Sequence, residues 1–112
     1  MTPNRFGGKE ELWRDWLEEV RGYIESARPG MKFLLLAVEK KQGPVDKTWV
    51  SQQNPLLARD SELLWRVLKA LTEDGSGPRM VVMTVGNEDG FVAWTKLNSL
   101  DGQALRPDKE PF

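Results

Sequence analysis

Two long stretches of the chain carry apolar residues at intervals of three and four positions. In residues 9–27 the apolar positions are Leu12, Trp13, Trp16, Leu17, Val20, Ile24 and Ala27. In residues 61–73 they are Leu63, Leu64, Val67, Leu68 and Leu71. This spacing places them on one face of a helix, so both stretches are predicted to be amphipathic helices. The turn sequences RPG at 28–30 and DGSGP at 74–78 are predicted to end them.

In two shorter apolar segments, the spacing of the apolar residues does not distinguish a helix from a strand. Residues 31–38 are apolar on all sides, and residues 79–86 contain three valines and a threonine. Leu, Met and Ala favour a helix in the first segment, and we predict a short helix in the second as well. The alternative is that both are strands, because a lone strand would have no partner. That alternative describes a small α+β protein-binding or regulatory module.

The remaining segments are one long connection and one further helix. Residues 45–58 have no sustained pattern, although Asp46 is a suitable N-cap for a single turn that contains Trp49 and Val50. A helix is predicted after Asn87 or Asp89, since Phe91, Trp94 and Leu97 fall on one face. We therefore predict an all-α fold, a compact bundle of four to six helices. An N-terminal arm (1–8) precedes the helical domain (9–100), and a polar tail or linker (101–112) follows it.

Composition narrows the function classes. The 112 residues include no Cys and no His, which removes thiolate and imidazole chemistry, so we expect no catalytic residue, no metal and no cofactor. An enzyme that uses carboxylates would need a deep pocket lined by at least two acidic residues. The net charge of −1 lacks the positive field of a nucleic-acid binder. The apolar run at 33–38 is too short to span a bilayer, so we expect a cytoplasmic protein.

Five tryptophans raise the question of what they do in so short a chain. Trp13, Trp16, Trp65 and Trp94 lie on or beside the predicted apolar faces and are expected to pack in a core. Trp49 lies in the segment without a pattern, where core packing and an exposed interface role are equally compatible with the sequence. Gly22 marks either a close approach by another helix or, as we prefer, one tolerated glycine.

The order of these motifs resembles the N-terminal Gag region of copia-type long-terminal-repeat retrotransposons. The resemblance begins with RFGG at 5–8 and LWRDW at 12–16, continues with SELLWRVLKALTE at 61–73 and ends with GFVAWTKL at 90–97. It covers residues 5 to about 100. The signature residues, which the resemblance implies lie in the core, are Phe6, Trp13, Trp16, Leu63, Leu64, Leu68, Phe91, Trp94 and Leu97.

The resemblance implies a capsid-like, all-helical domain that self-associates through several weak contacts. RNA would be contacted indirectly, through other parts of a longer polyprotein. It also implies that residues 79–86 are helical. The second capsid domain and the Cys- and His-containing zinc knuckle of a full Gag protein have no counterpart in these 112 residues. The expected role is therefore that of a capsid domain within a retrotransposon particle, or of a remnant adopted by its host.

Overall fold

The computed structural model describes residues 2–100, without the side chain of Glu10, and is built from α-helices. The helices are α1 (Trp13–Ala27), α2 (Met31–Lys40), α3 (Lys47–Gln53), α4 (Ser61–Ala70), α5 (Gly77–Met83) and α6 (Gly90–Asn98). Short 3-10 turns precede α1, α4 and α6. Within the described residues the only β-type pairing is a single bridge between Phe6 and Thr72. The all-α prediction is confirmed for this part of the chain.

The segments of ambiguous pattern are both helices, so the α+β alternative is wrong about the fold. Helix α2 starts directly after Gly30, whose φ of 95° lies in the left-handed region that favours glycine. Helix α5 starts earlier than predicted because Ser76 caps it, with the Ser76 hydroxyl accepting a bond from the Arg79 N–H at 3.1 Å. The turn sequence at 74–78, which was predicted to end the preceding helix, therefore also contains the first residues of α5. Burial of Val82 against the other helices outweighs the local preference of valine for strands.

The two periodic helices form as predicted but are shorter. Helix α1 begins at Trp13 rather than at Lys9, because Glu10–Leu12 winds into a 3-10 turn. Helix α4 ends at Ala70 rather than at Glu73, because the next residues pair with the N-terminal segment. The Phe6 N–H donates to the Leu71 carbonyl at 2.7 Å, and the Glu73 N–H donates to the Phe6 carbonyl at 2.9 Å.

The segment between α2 and α4 is more ordered than its sequence suggests. Asp46 caps α3 by accepting the Trp49 N–H at 2.8 Å, as predicted, but the helix extends over seven residues instead of one turn. Val50 is its buried residue. Arg5 and Phe6 of the N-terminal arm lie against the residues that follow α4. The predicted tail at 101–112 lies outside the described residues.

Helix α6 lies at the centre of the fold and packs on α2, α4 and α5. Its Ala93, Trp94 and Leu97 are fully buried. The buried apolar residues of all six helices belong to a single cluster, in which Trp94 and Leu64 are both members. No helix in the part of the chain that the structure describes has the length and apolar character needed to cross a membrane.

Candidate functional site

Most of the signature residues are in the core. Those that are buried and share one cluster are Phe6, Trp16, Leu64, Leu68, Phe91, Trp94 and Leu97. Trp13 is half-buried and packs against this cluster. Phe6 stacks on Trp16, with ring centroids 5.0 Å apart.

Leu63 is the exception, and its prediction as a core residue is wrong. Its side chain is 42% exposed, whereas Leu64 is 2% exposed. Consecutive helical residues differ by about 100° in direction. The buried arc of α4 is centred on Leu64 and Leu68 and includes Trp65, so Leu63 falls outside it. The apolar face of α4 is therefore wider than the part of the helix that packs against the core.

The tryptophans connect different parts of the fold through their indole N–H groups. The acceptors are the Asn4 carbonyl for Trp16 at 3.2 Å and the Val82 carbonyl for Trp65 at 2.9 Å. Trp13 donates to the Leu97 carbonyl at 3.1 Å, which links the start of α1 to the end of α6. A buried indole normally requires such a partner. These residues therefore stabilise the arrangement of helices as well as the core.

Trp94 takes part in a polar network that the sequence did not reveal. Its indole N–H donates to the Glu39 carboxylate at 2.8 Å, and Arg21 binds the same carboxylate through two nitrogens at 2.8 and 3.0 Å. The Arg21 and Glu39 side chains are only 18% and 17% exposed. Paired arginine–carboxylate bonds of this kind are directional, so the network fixes α1, α2 and α6 relative to one another.

Helices α4 and α6 meet at a junction made by Ser61, Asp89 and Gly90. The Asp89 carboxylate accepts the Phe91 and Val92 N–H groups at 3.0 and 3.2 Å, and so caps α6. The Ser61 hydroxyl donates to Asp89 at 3.1 Å and accepts the Gly90 N–H at 3.2 Å. Ser61 is the first residue of α4, yet its hydroxyl helps to cap the neighbouring helix α6.

Trp49 is partly buried against the core, with the Lys41 ammonium 5.8 Å from its ring centroid. This separation is within the range of a cation–π contact. Trp49 is thus neither fully buried in the core nor fully exposed. Its role as an interface anchor stays a prediction.

An apolar groove lies between α1, α2 and α4. It has a volume of about 300 Å³ and is lined mainly by apolar side chains, which include Tyr23, Ile24, Met31, Leu63 and Val67. Arg28 and Asp60 also line it and pair with each other at 3.2 Å. The exposed Leu63 side chain is therefore part of a concave apolar surface.

A second cavity, of about 460 Å³, contains the two acidic residues that the carboxylate-enzyme alternative requires. They are Glu62 and Asp89. Asp89 is engaged in capping α6, and Glu62 pairs with Arg66 at 2.6 Å. Both carboxylates therefore have structural partners, and the cavity is lined by basic residues as well, Lys47 and Arg59. No group of three or more potential metal ligands occurs among residues 2–100.

Six large apolar side chains among the described residues are exposed, and they are distributed over five parts of the chain. They are Leu12, Phe33, Leu56, Leu63 and, on the same helix, Met80 and Met83. Phe33 and Leu56 are the most exposed, at 78% and 72%. Met80 and Met83 lie three residues apart on α5 and therefore on the same side of that helix. This spacing alone does not show whether the side faces the core or the solvent. These side chains offer contact surfaces on several helices.

No family model, curated protein or solved structure matches this chain.

Proposed function

We propose that this chain is a Gag-like capsid domain that self-associates through several weak contacts. It would serve in a retrotransposon particle, or in a host-adopted remnant of one, with the cytoplasm as its compartment. The observation that carries the proposal is the distribution of exposed apolar side chains over five parts of an all-helical domain. The resemblance to the copia-type Gag region supports the same assignment.

The packing of the signature residues is compatible with this role. Seven of the nine lie in one buried cluster, where they stabilise the domain and do not face a partner. The sequence is mixed in charge and nearly neutral overall, with 16 Lys and Arg residues against 17 Asp and Glu residues. Copies of the chain would therefore not repel one another strongly through net charge.

Weak contacts are sufficient for a shell. Each isolated apolar side chain buries too little area to form a stable dimer, for which about 800 Å² per partner is usual. When one subunit makes several such contacts at once, the later ones form at high effective concentration. Heterologous contacts also propagate, whereas two-fold contacts end at a dimer. RNA would be held through other parts of a longer polyprotein.

Sedimentation velocity over a wide concentration range tests the proposal. We expect the average sedimentation coefficient to rise continuously from about 10 μM to about 1 mM, since a Kd in the millimolar range corresponds to only about 4 kcal/mol of binding free energy. A Gly22→Ala variant, changed at an open position within α1, serves as a control that should behave as the wild type does. A strict monomer at the highest concentration would overturn the proposal.

A further inference from the structure

We propose that copies of this chain exchange their N-terminal arms, so that residues 4–7 of one copy bind where the same residues of a second copy otherwise lie. The proposal rests on the self-association proposed above and assigns one specific contact to it. The binding place, which we call the arm site, is formed by Trp16 of α1 and by residues 71–73, which follow α4. Because the chain's own arm fills the arm site, the chemistry of its occupant is known.

The arm site holds Phe6 through both its side chain and its backbone. The ring stacks on Trp16 with centroids 5.0 Å apart, and the Phe6 side chain is only 3% exposed. The Phe6 N–H donates to the Leu71 carbonyl at 2.7 Å, and the Phe6 carbonyl accepts the Glu73 N–H at 2.9 Å. Peptides are often recognised in this way, by backbone pairing along an edge together with a pocket for a side chain. The arm is therefore bound as a peptide ligand would be.

The residues on either side of Phe6 make the contact specific for its sequence. The Arg5 guanidinium donates to the Thr72 carbonyl at 3.2 Å and lies 3.6 Å from the Asp74 carboxylate. On the other side, a β-carbon at Gly7 would lie 2.9 Å from the Glu73 Cδ, so a larger residue would force Glu73 to move. These contacts suit the sequence Arg-Phe-Gly, which every copy of the chain carries at 5–7.

Two consecutive glycines connect the arm to the helical domain. Gly7 and Gly8 lie just before the 3-10 turn Glu10–Leu12, which leads into α1. Gly8 has a φ of 100°, and a glycine can leave this left-handed conformation for an ordinary one at little cost. Rotation at these two positions can therefore direct the arm toward a neighbouring copy while α1 stays in place.

Reciprocal exchange preserves the contacts of the arm. Each copy gives one arm and receives one, so the bonds at the two arm sites are the same before and after the exchange, and exchange of an identical element is a low-cost route to a dimer. The remaining cost is the lost freedom of two separate copies. That cost falls when other weak contacts already hold the copies close together. An arm that is passed on to a third copy would extend the assembly beyond a dimer.

Disulfide formation between introduced cysteines tests the exchange, because the chain has no cysteine of its own. One variant carries Gly7→Cys and the other carries Glu73→Cys, at positions that are adjacent in the bound arm and outside the core. These two cysteines meet only when the arm of one copy occupies the arm site of the other. Under mild oxidation, we expect the mixed full-length chains to form a crosslinked heterodimer about tenfold faster than a control pair does. The control pair is Gly7→Cys mixed with Glu62→Cys, which lies on the exposed surface of α4.

A chain that carries both Gly7→Cys and Glu73→Cys gives a second test. Oxidation at low protein concentration should close an internal disulfide, which holds the arm in its own arm site. The average sedimentation coefficient of the oxidised chain should then rise less with concentration than that of the same chain after reduction. The reduced form is the matched control, because it has the same sequence and a free arm.

The possible outcomes separate the two proposals. Equal crosslinking rates for the test pair and the control pair would overturn the exchange, and so would equal sedimentation of the oxidised and reduced chain. If the wild type still associates with rising concentration, only the exchange is wrong. If the wild type is strictly monomeric and no heterodimer forms, self-association itself is wrong.

Discussion

Gly22 and Gly90 both lie in helices, but their surroundings are opposite. A β-carbon at Gly22 would have no neighbour within 4 Å, whereas one at Gly90 would lie 2.5 Å from both the Leu64 Cβ and the Ser61 carbonyl oxygen. We therefore expect Gly22→Ala to raise the free energy of unfolding by about 0.5–1 kcal/mol. Gly90→Ala should lower it by about 1–3 kcal/mol, because α4 and α6 would be forced apart. Urea denaturation measures both, and equal effects of the two variants would contradict this packing.

Glu39 and Glu62 each pair with an arginine, but in different environments. The Glu39 side chain is 17% exposed and also accepts the Trp94 indole N–H, whereas Glu62 is 59% exposed on the surface of α4. We expect Glu39→Gln to reduce the free energy of unfolding by about 1–3 kcal/mol, because Arg21 loses its charged partner in a partly buried site.

The same change at Glu62 is the matched control. Its pair with Arg66 is a solvent-exposed contact along one helix, for which a change of no more than about 0.5 kcal/mol is expected. Chemical denaturation of the two variants under identical conditions gives the comparison. A Glu39→Gln variant as stable as the wild type would show that the network with Trp94 does not hold the helices together.

At the scale of elements, Glu25 connects α1 to α2. Its carboxylate accepts the Lys32 N–H at 2.8 Å and the Gly30 N–H at 3.0 Å, which satisfies donors at the start of α2. The backbone N–H of Lys32 and then that of Gly30 hold the pKa of Glu25 below its ordinary value of 4.5. Because the folded-state pKa is lowered, this stabilisation is present above pH 4.5 and is lost as the pH falls through the folded-state value.

Unfolding measurements at a series of pH values test whether the stabilisation by Glu25 is lost on acidification. Relative to wild type, Glu25→Gln should be less stable at neutral pH, and the difference should shrink as the pH falls through the lowered pKa of Glu25. The acid side of the stability curve should therefore be flatter for the variant. A difference that grows on acidification would mean that the carboxylate is not the group that caps α2.

The sequence predicted elements where the evidence for them is local. The apolar faces of α1 and α4 and the caps at Asp46 and Asp89 all depend on residues a few positions apart. Helix ends were predicted less well when a distant segment decides them. Helix α4 ends early because Phe6 pairs with the residues that follow it, and nothing within residues 61–73 indicates that pairing.

The sequence predicted which side chains are buried at the centre of the core, but not the surroundings of those at its boundary. Burial of Trp94 and Leu97 follows from the apolar face of α6, but the Glu39 partner of Trp94 is far away in the chain. Leu63 lies outside the core although it belongs to the apolar face of α4, because periodicity locates such a face without showing how wide its contact with other helices is. The groove exists only because three helices meet around it, so no single segment predicts it.

At the scale of the whole molecule, the apolar residues form an inner set and an outer set. The inner set forms one cluster that holds the helices together. The outer set is exposed on the surface and includes Leu12, Phe33, Leu56 and Met80. If the outer set forms contacts, replacing Met80 and Met83 together by Ser should weaken self-association without changing the free energy of unfolding by more than about 0.5 kcal/mol. Sedimentation and urea denaturation of that variant check both halves of the prediction.

Backbone amide NMR spectra recorded over a dilution series test the central claim most directly, because they locate contacts as well as detect them. We predict that dilution shifts the amide signals near exposed apolar residues on several helices, including Leu12, Phe33, Leu63 and Met83, while the signals of Trp94 and Leu97 in the core stay fixed. Spectra that do not change with concentration, or that change on one contiguous face only, would contradict self-association through several weak contacts.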